Sequence, residues 1–164
     1  VQRLPIETVV DTIVCLDGCE VIGAYMAEEL EMGYRTSIIK KKGYLVLGAV
    51  IVLEQGEQEV IKARMKELTE QRVSKQPLEY PSAGSTFKRP EGYFAGKLIM
   101  DAGLAGASVG GAQVSEKHCG FVINRKNATS ADVAGLIQKV TETVQEKFGV
   151  TLEPEVIFLG DFEK

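Results

Sequence analysis

Residues 80–99, YPSAGSTFKRPEGYFAGKLI, set Ser82 and Ser85 around a glycine and follow them with Lys88 and Arg89. Hydroxyls, two cations and the amides of a chain bent by Gly and Pro form a donor set suited to phosphate or carboxylate oxygens. The spacing is not that of a P-loop, which needs Gly-x-x-x-x-Gly-Lys-Ser/Thr after a strand. Two uses fit the stretch equally, an anion site or the capped start of a helix. Near the end of the chain, LEPEV places Glu153 and Glu155 on one face of a strand and Val156 on the other, because side chains alternate. Pro154 between them suggests an edge or the beginning of the strand, and such a carboxylate pair is either solvated or catalytic. Tyr34 and Arg35 lie in MGYRTSIIKKK, in a loop ahead of a strand, where a guanidinium is either surface charge or a fork for a carboxylate. His118, the sole imidazole, stands just before a strand and is either structural or catalytic.

The elements that position these residues can be read from periodicity and punctuation. ETVVDTIVCLDG (7–18) alternates β-branched and polar residues and ends in Asp-Gly, a hairpin signal. A short helix or turn is expected at 26–32, then a loop, then a strand from Tyr44 to Leu53 so apolar that burial on both faces is expected. Lys40, Lys41 and Lys42 read as the solvated end of a hairpin. A helix is expected from Glu57 to Val73, with Val60, Ile61, Met65 and Leu68 at helical spacing and Arg64, Lys66 and Arg72 in solvent.

SKQPLEYPSAGS, rich in Ser, Pro and Gly, is the natural domain boundary. Beyond it the pattern predicts a helix over 93–102 closed by Gly103, strands at Ala112–Val114 and Gly120–Asn124, and a long helix capped by Thr129 or Ser130. That helix carries Val133, Leu136, Ile137, Val140 and Val144 on one face and ends at Gly149, and VTLEPEVIFLG is a final strand. Helices and strands alternate irregularly between hairpin-like turns, which predicts an α+β fold.

With 164 residues, 45% of them apolar and 26% charged, the chain has the balance of a folded globular protein rather than a disordered one. A net charge of -4 makes nucleic acid a poor partner, and no apolar run reaches the length of a membrane span. Cys15, Cys19 and Cys119 are odd in number and not in Cys-x-x-Cys spacing, so reduced thiols in a cytosolic protein are expected. One histidine makes a zinc site of the usual ligand count hard to build.

Taken together, GYRTS, KQP…PSAGSTFKRPEGYFAGKLI, GGAQVSEKHCGFVIN with NAT, and KFGVTLEPEV resemble the C-terminal two thirds of the UDP-N-acetylenolpyruvoylglucosamine reductase family, in its shorter bacterial form. The resemblance runs from about Glu7 to Leu159. It implies a partial flavin-binding lobe over 1–74 followed by an α+β substrate domain over 75–164. It also implies FAD and NADPH as cofactors, a UDP-sugar as substrate, and a cytoplasmic reduction in peptidoglycan synthesis. Residue by residue, it makes Ser85 the proton donor, with Arg35 and Glu155 as its catalytic companions. Lys75, Arg89 and His118 fall at substrate-binding positions, and Tyr34 and Lys88 accompany them. A UDP-sugar-binding module without catalysis, or a decayed fragment, is the alternative.

The chain departs from the family in three places. The family's N-terminal glycine-rich flavin loop has no counterpart, and a chain that starts at Val1 resembles one cut from something longer, so weak FAD binding is expected. Ile157 stands where the family usually has arginine, and Met32 where an aromatic is commoner.

Overall fold

β-Branched and polar residues alternate through Val10–Asp17, and this segment is a strand, β1. The computed structural model describes residues 10–17 and 20–160, which fall into two compact units, Val1–Ile61 and Lys62–Lys164. In the first unit β1 pairs antiparallel with β2 (Glu20–Met26), the partner expected of a hairpin; Gly18 and Cys19, where its turn was expected, lie outside the described residues. β3 (Leu45–Ile51) pairs antiparallel along the other edge of β1, giving the strand order β2-β1-β3.

Two expectations fail in this unit. β3 is a strand, yet all of its residues are exposed rather than buried on both faces. A continuous apolar run reports what a strand prefers, whereas burial also requires a covering layer, and no described residues supply one. Lys40, Lys41 and Lys42 are not a hairpin end but belong to a short helix, α1 (Ile38–Lys42), closed by Gly43 at φ +70°. Glycine takes that left-handed conformation without the steric cost borne by other residues. An ion pair from Lys41 to Glu31 (2.7 Å) ties α1 to the end of the 3-10 turn Ala27–Leu30 and holds the Glu31 carboxyl below the usual range.

α2 (Gln58–Lys75) forms where helical spacing placed it, but its apolar positions Val60, Ile61, Met65 and Leu68 remain exposed. The second unit holds the core. Its sheet has the order β4-β7-β6-β5, from β4 (Ser82–Ser85), β5 (Ser108–Val109), β6 (Ala112–Val114) and β7 (Phe121–Asn124), all antiparallel. α3 (Ala95–Asp101) and α4 (Ser130–Phe148) complete it, with α4 packed on β5, β6, β7 and α3.

α4 follows its sequence closely. Leu136, Ile137, Val140 and Val144 are buried and Val133 packs against them, as the 3.6-residue period requires. Thr129 caps the helix: its Oγ1 accepts from the Asp132 N–H (3.1 Å) while Asp132 accepts from the Thr129 N–H (2.9 Å). Gly149, at φ +67°, ends it. The final strand is reduced to a single bridge, Phe87 opposite Pro154. The mixed helix and strand content is the α+β class the sequence predicts.

Candidate active site

Ser85 ends β4, and its exact placement depends on one extra residue. Ser82 lies opposite Ile123 and Ser85 opposite Phe121, so β4 carries one residue more than β7 between those pairs. The bulge is accommodated at Gly84, φ +87°, where a side chain would be strained. Beyond the bulge the pairing shifts to Thr86, which is only 3% exposed. Its N–H donates to the Gly120 carbonyl (2.8 Å), and its Oγ1 accepts the Val122 N–H (2.9 Å) in place of a main-chain oxygen.

On its other edge this stretch pairs with the LEPEV segment. The Glu155 N–H donates to the Thr86 carbonyl and the Lys88 N–H to the Glu153 carbonyl, both at 2.8 Å, around the Phe87–Pro154 bridge. In an antiparallel ladder the pair between two such bonds needs no N–H of its own, so proline is tolerated there. Phe87 enters the core, so Thr86 and Lys88 face the other way with Glu155 and Glu153 opposite them. The Lys88 ammonium and the Glu153 carboxylate form an ion pair on that face. Glu153 is thereby engaged with a cation, and Glu155 is the half-buried member of the carboxylate pair.

His118 reaches the same neighbourhood through β7. Its Nδ1 accepts the Gly120 N–H (3.1 Å), which puts the neutral ring's proton on Nε2. The ring stands edge-on to Phe121, centroids 4.9 Å apart. A Cβ on Gly120 would lie 3.0 Å from the ring, and one on Gly96 would lie 3.2 Å from the Gly120 nitrogen. A side chain at either position would be a tight contact, against the His118 ring for Gly120 and against the backbone of the 118–120 turn for Gly96, and would require a shift of a few tenths of an ångström. The N–H of His118 is held by Ser115, a buried hydroxyl, at 3.3 Å.

Arg89 follows Lys88. Its Nε–H donates to the Tyr93 carbonyl (3.3 Å) and its guanidinium lies 4.1 Å from the centroid of the Phe94 ring. Lys75 is the exposed last residue of α2, just ahead of the loop leading to β4. Tyr34 and Arg35 belong to the first unit, at the corner of a turn closed by hydrogen bonds between Gly33 and Thr36 (3.0 and 3.2 Å). Arg35 takes φ +59°, a conformation that costs a non-glycine residue roughly 1–2 kcal/mol. Its guanidinium lies 5.7 Å from the Tyr34 ring centroid.

In the second unit Ser85 lies on the β4–β7 pairing, Lys88 and Glu155 flank the Phe87–Pro154 bridge, and Arg89 and His118 lie in the segments next to these pairings. Thr86, Gly120 and Gly96, which set that register, were not singled out from the sequence; the one available signal was the glycine-flanked serine pair that announces a bulge. Among the described residues no group of three metal-ligating side chains occurs, and no helix is long and apolar enough to cross a membrane. Cys119 is a free thiol in the core, its pKa raised by burial. The exposed β3 gives the first unit no enclosing wall for a flavin ring, so the described residues of that unit do not by themselves fit FAD.

Residues 76–159 match the family model described as UDP-N-acetylenolpyruvoylglucosamine reductase, C-terminal domain. A UDP-N-acetylenolpyruvoylglucosamine reductase of Lachnoclostridium phytofermentans is 66% identical over 134 residues, 82% of this chain and 43% of its own length. That of Clostridium beijerinckii is 54% identical over 156 residues, 95% of this chain and 51% of its own. The crystal structure of the Thermus caldophilus reductase superposes with a TM-score of 0.76 at 32% identity, over 91% of this chain and 52% of that one. The chain spans about half the length of these relatives. On the strength of the matched domain and the shared architecture, it belongs to the UDP-N-acetylenolpyruvoylglucosamine reductase family.

Proposed function

We propose that this chain is the substrate-holding and proton-donating part of a reductase that converts UDP-N-acetylenolpyruvoylglucosamine to UDP-N-acetylmuramate, a cytoplasmic step of peptidoglycan precursor synthesis. The observation that carries the reading is the Glu155 N–H to Thr86 carbonyl bond (2.8 Å), which sets the backbone of the candidate acid's carboxyl companion directly beside the residue following Ser85. In this reading residues 75–164 are the substrate domain and residues 1–74 the remnant of a flavin lobe.

Reduction of an enol ether adds a hydride equivalent to its terminal carbon and a proton to the carbon bearing the ether oxygen. Between the two events, negative charge spreads into the neighbouring carboxylate. Ser85 supplies the proton as general acid. An alkanol is a weak acid, so cations near it are needed to favour its alkoxide. Lys88 is paired with Glu153; by the family resemblance Arg35 is the residue that would meet the substrate's developing charge. Glu155 assists as a hydrogen-bond donor when protonated, or by orienting another donor. His118 offers Nε2–H to a sugar or phosphate oxygen, Lys75 and Arg89 meet the diphosphate, and Tyr34 lines the site. FAD and NADPH are the cofactors the family resemblance implies; the described residues of the first unit do not by themselves enclose a flavin.

Calorimetric titration of the chain with the enolpyruvyl UDP-sugar tests the reading. Binding that His118→Ala weakens by about tenfold, the loss of one hydrogen bond to a charged or polar oxygen, is expected. No heat of binding at millimolar ligand would sink it. The exposed β3 favours a second reading, a UDP-sugar-binding module without catalysis. In that case the titration succeeds and no reduction follows when the chain completes a flavin-bearing partner.

A further inference from the structure

Thr86 is an uncommon residue to bury, since threonine is mostly found exposed. It follows the exposed Ser85 in the chain and is itself only 3% exposed. Its N–H donates to the Gly120 carbonyl (2.8 Å), its carbonyl accepts from the Glu155 N–H (2.8 Å), and its Oγ1 accepts from the Val122 N–H (2.9 Å). A buried strand position favours valine, which has the same shape and no hydroxyl to desolvate. Here the hydroxyl stands in for a main-chain acceptor. Its partners also belong to the segments that carry the candidate site residues. Gly120 ends the turn in which its own N–H is held by His118 Nδ1 (3.1 Å), and Glu155 is the half-buried carboxylate.

The bulge explains why a hydroxyl is needed. Ser82 lies opposite Ile123 and Ser85 opposite Phe121, so β4 carries one residue in excess and Val122 finds a side-chain acceptor instead of a carbonyl. Without that oxygen the Val122 N–H is buried and unpaired, and the strand's remedy is to close the bulge and offer a main-chain carbonyl. Closing a one-residue bulge shifts the register, and such a shift turns side chains on one side of it to the opposite face. Ser85, at the end of the bulge, is the candidate residue most directly moved. Bulges beside active sites re-aim side chains in this way.

We infer that Thr86 is the positioning residue of the candidate site, its hydroxyl locking the bulged register that holds Ser85 in place relative to Glu155 and His118. The proposal rests on the reductase reading above and deepens it by assigning what aims the proton donor. In that reaction the Ser85 hydroxyl proton goes to the carbon bearing the ether oxygen. A hydride equivalent, drawn ultimately from NADPH, goes to the terminal carbon, and the serine alkoxide regains a proton from water. Thr86 touches none of the reacting atoms, so it governs proton delivery rather than binding.

The test compares Thr86→Val, which keeps the shape, with Thr86→Ser, which keeps the acceptor. Val140→Ala, which thins the buried face of α4, is the control for lost stability. In the full chain, amide exchange at Val122 and Glu155 should quicken by roughly tenfold or more in Thr86→Val and stay near the parent's in Thr86→Ser. Turnover is then measured with the chain completed by the part of the Clostridium beijerinckii relative outside the matched segment. In Thr86→Val, kcat should fall roughly ten- to hundredfold with KM within about twofold, the loss expected of a misaimed donor. The solvent deuterium isotope effect should rise, because proton delivery becomes the slow step. Thr86→Ser should recover kcat to within about threefold, and Val140→Ala, folded at the assay temperature, should keep it within about twofold. A Thr86→Val enzyme with the parent's kcat and isotope effect overturns the positioning role and leaves the reductase reading intact, as does a Thr86→Ser enzyme equally slow. A completed parent that releases no UDP-N-acetylmuramate overturns the reductase reading, and the exchange rates then decide on Thr86 alone. Glu155 as protected in Thr86→Val as in the parent overturns its role.

Discussion

Thr86→Val removes a single acceptor from a position where nothing nearby replaces it. The side chain is 3% exposed, and its Oγ1 takes the Val122 N–H at 2.9 Å because the bulge at Gly84 has moved the main chain of β4 out of register with β7. Valine fills nearly the same space, so the loss is chiefly the desolvated N–H, which costs about 1–3 kcal/mol when left buried and unpaired. Spread over a cooperative unit of this size, that corresponds to a fall in melting temperature of roughly 5–15 °C. Thr86→Ser keeps the acceptor and should lose less, about 1 kcal/mol for the missing methyl group. Circular dichroism melts of the three proteins, with amide exchange at Val122 as the local readout, decide the matter. A Thr86→Val protein as stable as the parent, with Val122 equally protected, would refute the claim that this hydroxyl holds the bulged register.

Gly111→Ala should be more damaging than any surface change, because the added Cβ would lie 2.2 Å from the Lys126 carbonyl oxygen and 2.6 Å from the Ala128 nitrogen, both main-chain atoms. A loss of at least about 3 kcal/mol in urea unfolding is expected from so severe an overlap. Acid should loosen the same corner. N–H groups of Thr129 and then Gly111 hold the Asp132 carboxyl below its usual range, so its stabilisation is complete above the unfolded value of about 3.9 and is lost as pH falls through the lower folded value. Asp132→Asn should therefore have a lower urea midpoint than the parent near neutrality, and the gap should narrow as pH falls below the unfolded value of about 3.9; a gap that stays constant with falling pH would contradict this origin.

α4 was legible because every level agreed: a 3.6-residue apolar stripe, the Thr129–Asp132 box and a terminal Gly149. β3 was legible as a strand but not in its burial, since coverage is a property of other parts of a fold. α1 was missed because SIIKKK mixes β-branched and charged residues without periodicity, and the helical turn owes its shape to Gly43 and to the Lys41–Glu31 pair. The pairing of residues 86–88 with 153–155 joins segments remote in sequence, and no local pattern encodes it. Ser85 and Glu155 are placed together by the resemblance alone; what the ladder around Phe87 and Pro154 does is pair the backbone of Glu155 with Thr86, the residue after Ser85.

The central claim is that the Ser85 hydroxyl delivers the proton in an enol ether reduction. It is tested most directly by installing this chain in the Clostridium beijerinckii relative, in place of the 156-residue segment to which it is 54% identical. The chimera with Ser85 should oxidise NADPH and release UDP-N-acetylmuramate. With Ser85→Ala, NADPH should still bleach the flavin, while product formation falls by roughly a hundred- to ten-thousandfold. Undiminished release of UDP-N-acetylmuramate from the Ser85→Ala chimera would contradict the account.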